Sequence, residues 1–120
     1  MPGTETILTI VRLNHQAKYC MFSHVVIFWT KPEQPKAADE LIAGALRYLK
    51  GIPGVIQFHV GRMARSERPV VDQTYQVALN IVFADKKTQD EYQVHPQHLE
   101  FVETVFKPNC LKVVIYDFEG

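Results

Sequence analysis

Four strand-like stretches and two helical ones, in the order β-α-β-β-α-β, predict an α+β domain with one four-stranded antiparallel sheet. Three observations carry the prediction. "FSHVVIFWT" (22–30) and "TYQVALNIVF" (74–83) are rich in β-branched and aromatic residues, as strands are. In "AADELIAGALRYLKGI" (37–52), Leu41, Ala45, Leu49 and Ile52 recur at near-helical spacing. In "PQHLEFVETVF" (96–106), Leu99, Val102, Val105 and Phe106 form a second apolar helical stripe. The order is that of the ferredoxin-like split βαβ monomer. Two helices cover only one face of such a sheet.

Taken in order, residues 1–20 stand apart as an N-terminal extension, whose "TILTIVRL" has strand composition. The domain proper is expected to span 21–120, and Met21 could itself serve as a start. The first strand is apolar on both alternate faces: Val25, Ile27 and Trp29 on one, Phe22, Val26 and Phe28 on the other. It is therefore expected to be buried on both sides. "KPEQPK" is a loop, and Gly51 and Pro53 stop the helix of 37–52. "GVIQFHVGR" (54–62) is the second strand, and "ARSERPVVD" an irregular connection in which Arg65 and Arg68 read as solvated.

The third strand sets Tyr75, Val77, Leu79, Ile81 and Phe83 against Thr74, Gln76, Ala78, Asn80 and Val82. Asp85 is placed to cap the helix "KKTQDEYQV". Pro96 removes a helical hydrogen bond and pushes His95 away from α geometry, so the helix should break there and restart with Pro96 in its first turn. "LKVVIYDF" (111–118) closes the sheet. A first strand apolar on both faces, beside a sheet covered on one, points to a second copy about a two-fold axis. Val25, Ile27, Trp29, Ala78 and Val82 would meet it sheet to sheet.

Composition narrows the function. The chain has 120 residues, the size of one domain, with 13 basic and 13 acidic side chains. No basic cluster exceeds Lys86–Lys87, which argues against a nucleic-acid partner. Cys20 and Cys110 have neither redox nor zinc spacing. The longest apolar run, "VVIFW", is far too short to span a membrane, and no signal peptide is legible, so a cytoplasmic protein without membrane association is expected. There is no phosphate-binding glycine loop and no nucleophile elbow. His24, His59, His95 and His98 have no accompanying carboxylate at ligand spacing, so neither metal nor cofactor is expected.

The chemistry is concentrated in "YQVHPQHLEF" (92–101). Tyr92 and His98 are six apart, which an unbroken helix would place on different faces, but a break at Pro96 changes the phase and lets them converge. A neutral His98 can accept a proton and a phenol can hydrogen-bond to a substrate oxygen. The plainer reading is that these histidines satisfy backbone groups at the kink.

"His-Val-Val" opening the first strand, "Ile-Pro-Gly-Val" after the first helix and "Tyr-x-x-His-Pro-x-His" (92–98) together resemble the stress-responsive dimeric α/β-barrel family over residues 21–118. The resemblance implies a ferredoxin-like monomer and a dimer whose sheets face each other as a barrel. A plant polyketide cyclase of that family works without a cofactor, and its acid/base pair falls on Tyr92 and His98. One of its pocket histidines falls on His24, while two further pocket positions fall on Ala45 and Val77, where this chain departs from it. His95 belongs to the same motif and is kept with the binding set. The expectation is thus a homodimer that binds a small hydrophobic or aromatic molecule between helices and sheet. The alternatives are a cofactor-free cyclase, isomerase or lyase using Tyr92 and His98, or a cofactor-free monooxygenase.

Overall fold

The computed structural model describes residues 21–120, so the expected extension at 1–20 lies outside the described residues. Strands β1 (Phe22–Thr30), β2 (Gln57–Arg62), β3 (Val77–Phe83) and β4 (Cys110–Glu119) form one sheet in the order β2-β3-β1-β4. Every neighbouring pair is antiparallel. This is the ferredoxin-like arrangement the element order predicts. Helices α1 (Ala37–Gly44), α2 (Lys86–Gln93) and α3 (Pro96–Phe101) connect the strands, and a last helical turn at Lys107–Asn109 leads into β4.

Several boundaries differ from the sequence expectation. The first helix widens into a π-helical stretch at Ala45–Leu49, and α3 does the same at Val102–Phe106. Next to these turns the two helices approach closely: a Cβ on Gly44 would sit 2.7 Å from a Val105 methyl. The second strand starts at Gln57 rather than 54, because Gly54, at φ +96, belongs to a turn. The third strand starts at Val77 rather than 74, and Gln76 N–H still donates to the Phe28 carbonyl at 3.1 Å.

The break at Pro96 is present. His95 is extended (φ −65, ψ 139), and its Nδ1 accepts from Gln97 N–H at 3.1 Å, capping α3. Asp85 caps α2 by accepting from Thr88 N–H at 2.8 Å.

Strand register sorts the side chains into two faces. Phe22, His24, Val26 and Phe28 of β1 stand opposite Phe83, Ile81, Leu79 and Val77 of β3. These side chains are buried against Leu41, Ala45, Leu49, Tyr92 and Phe101 and form the core. The other face carries Val25, Ile27 and Trp29 of β1, with Tyr116 and Val114 opposite Val25 and Ile27. No described element packs over it. Ser23 and Val82 on this face are nonetheless buried, whereas Tyr116 and Phe118 are 60% and 61% exposed.

Candidate functional site

Between the helices and the sheet lies a partly open cavity of about 230 Å³. β1 contributes His24, Val26 and Phe28, and β4 contributes Val113 and Ile115. The two widened helical turns contribute Leu49, Val102 and Phe106. Most of the wall is therefore aliphatic or phenyl, and the polar exceptions are His24, Tyr92, Gln93 and His98.

Three rings gather at one end. Tyr92 is 2% exposed and packs edge-on against Phe83, with ring centroids 5.1 Å apart. The His98 ring lies 4.8 Å from Tyr92, and His24 lies 6.0 Å from it on the strand side. The kink makes this convergence. Because α2 ends at Gln93 and α3 restarts at Pro96, residues six apart meet on one side.

Burial alone pushes the Tyr92 phenol well above the ordinary tyrosine range, so it stays protonated and serves as a hydrogen-bond donor. Burial is also the main cause holding His98 below the usual imidazole value, and His24 adds to it, while a Gln93 backbone contact opposes it. His98 is thus held as a neutral ring. Its Nδ1 is the one buried side-chain polar atom among the described residues that lacks a hydrogen-bond partner. An unpaired buried group of this kind costs about 1–3 kcal/mol.

The fourth member of the group is absent from the sequence expectation. His24 Nδ1 sits 2.6 Å from Asp117 Oδ1, joining the buried imidazole to a carboxylate on β4. The carboxylate fixes a proton on Nδ1 and orients the ring, leaving Nε2 as the other functional atom. The only sequence signal was the alternation of β4, which continues the Val113–Ile115 row to an acidic residue at 117. Its partner is 93 positions away.

The remaining expected site residues lie elsewhere. Ala45 and Val77 are buried in the core behind the cavity wall and do not line it. His95 caps α3. His59 stands opposite Asn80 on the other face of the sheet, so the four histidines do not converge. Among the described residues no group of three or more His, Cys, Asp or Glu side chains is placed to hold a metal ion. No helix among them is long and apolar enough to cross a membrane.

Comparison with known proteins places this geometry among relatives. The profile described as the stress responsive A/B barrel domain matches residues 22–120. The stress-response A/B barrel domain-containing protein HS1 of Arabidopsis thaliana is 31% identical over 85 residues, covering 71% of this chain and 75% of that protein. Among solved structures, hydroxynitrile lyase from Passiflora edulis superposes with a TM-score of 0.67 at 21% identity, covering 85% of this chain and 94% of that one. A dimeric ferredoxin-like protein of unknown function from Thermobifida fusca superposes with a TM-score of 0.68 at 17% identity, covering 83% and 91%.

Proposed function

The chain belongs to the stress-responsive A/B barrel domain family, and from that premise we propose that it is a homodimer whose protomers each bind one small, mainly apolar ring compound between helices and sheet. The observation that carries this is the cavity, with its apolar wall and a few polar tips at one end. At about 230 Å³ it exceeds the roughly 150 Å³ that suffices for benzene and falls short of the range for drug-sized ligands, about 300–1,000 Å³. One substituted ring fits. The dimer is supported by the aromatic and aliphatic side chains of the helix-free sheet face and by the dimeric relative of the same fold.

The test is a calorimetric titration with single-ring compounds, repeated on Val102→Phe, which places a larger side chain in the cavity wall. Saturable binding that the substitution abolishes is expected. Binding that survives it unchanged places the ligand elsewhere and ends this reading.

A second reading is favoured by the His98 ring, which lines the cavity 4.8 Å from a protonated Tyr92. Here the pair moves a proton on an aromatic or polyketide-like substrate, as a cyclase, isomerase or lyase would. The hydroxynitrile lyase of the same fold is compatible with such chemistry. In this case Tyr92→Phe and His98→Ala each cost about 10²–10⁴-fold in turnover. Turnover that persists in both variants removes the proton-transfer reading and leaves binding alone.

A further inference from the structure

We propose that the cavity selects an uncharged ring compound bearing a hydroxyl group and turns away carboxylates, and that Asp117 sets this choice. The inference rests on the ligand-binding reading and narrows it to a chemical class.

None of the described residues lining the cavity is Lys or Arg. Lys86 lies within electrostatic reach of Asp117, but its ammonium is held by Asp90 at 2.8 Å and does not line the cavity. The His24–Asp117 contact therefore decides the local balance. With a neutral imidazole the pair carries one negative charge, and with a protonated one it carries none. In neither state is it positive. A carboxylate entering the cavity would lose its hydration and meet, at the His24 wall, a pair with no net positive charge, Asp117 acting through His24 from outside the lining. His98, held neutral by burial, does not supply the missing cation.

The hydrogen-bonding capacity is complementary to a hydroxyl. Asp117 occupies Nδ1 of His24, so His24 offers only Nε2. That atom accepts when the ring is neutral and donates when it is charged. A hydroxyl both donates and accepts, so it satisfies Nε2 in either state. The Tyr92 phenol stands at the same end of the cavity for the hydroxyl's remaining capacity. A simple hydrocarbon would fill the apolar wall but make no polar contact with His24 Nε2 or the Tyr92 hydroxyl, forgoing the stabilisation that such a contact returns.

Three probes of nearly equal size separate these statements: toluene, phenol and benzoate, titrated into the full-length protein at neutral pH. Phenol should bind about fivefold more tightly than toluene, the return on one recovered hydrogen bond. Benzoate should bind at least about tenfold more weakly than phenol. In Asp117→Asn, which keeps the side-chain shape but removes the charge, the phenol-to-benzoate ratio should fall at least about threefold. Benzoate binding as tightly as phenol, or phenol no better than toluene, overturns the inference while leaving the binding reading intact. A uniform loss for all three probes in Asp117→Asn shows that Asp117 is only structural and likewise overturns it. If none of the probes binds the unaltered protein, the binding reading fails and takes this inference with it.

Discussion

The two faces of the sheet use the same strands to opposite ends. On the helix side, Val77, Ile81 and Phe83 are fully buried, and the packing leaves one cavity with its polar atoms drawn to a single end. On the far side, Val25, Ile27 and Trp29 are only half-buried, and Tyr116 and Phe118 stand out as large exposed aromatics. That face is also tidied by polar contacts: the Trp29 indole donates to Thr74 Oγ1 at 3.0 Å, and the Lys112 ammonium lies 4.5 Å from its ring centroid. Apolar alternation by itself therefore does not assign a partner. Helices complete one face within the chain, and the other is left with surface of the kind that association buries.

Charging the far face should have the largest effect. Phe118→Asp enters a two-fold interface twice, so self-association should weaken at least about 100-fold, read as a halved mass in light scattering at micromolar concentration. The fold of each protomer should survive, since that side chain is already largely exposed. An unaltered mass would show that the far face is not where copies meet. The corresponding change on the helix side should do the reverse. Phe83→Ala leaves a hole in a closed core and should cost about 3–5 kcal/mol in denaturant unfolding. A cost below about 1 kcal/mol would mean that this face is less tightly packed than its burial implies.

The smallest effect concerns protons on the cavity side. His98 binds its proton more weakly when folded than the ordinary value of 6.5. The unfolded chain therefore takes up a proton first as the pH falls, and unfolding stability must decline below about 6.5. Above 6.5 both states are neutral at this ring and nothing is lost. In His98→Gln this part of the acid slope should disappear. An identical slope in both proteins would assign the acid sensitivity to other groups.

The periodicities were enough for the elements and their order, because period two and period 3.6 are local properties of the chain. The kink was equally local: Pro96 cannot donate a backbone hydrogen bond, so the segment had to restart, and His95 was left in extended geometry to cap it. The meeting of Tyr92 with His98 followed from that break. Other boundaries were set by neighbours. β2 begins only after the Gly54 turn, and the first helix widens just past Gly44, where Val105 presses against it.

Local pattern was enough for a four-stranded sheet with helices on one face and a tyrosine–histidine pair at a helix break. The assembled fold is what joins Asp117 to His24 and lines the cavity with Leu49 and Leu79 rather than Ala45 and Val77. Strand register is the cause. Which residue of β4 stands beside which residue of β1 depends on how the whole sheet aligns, and residues 93 positions apart carry no local sign of one another.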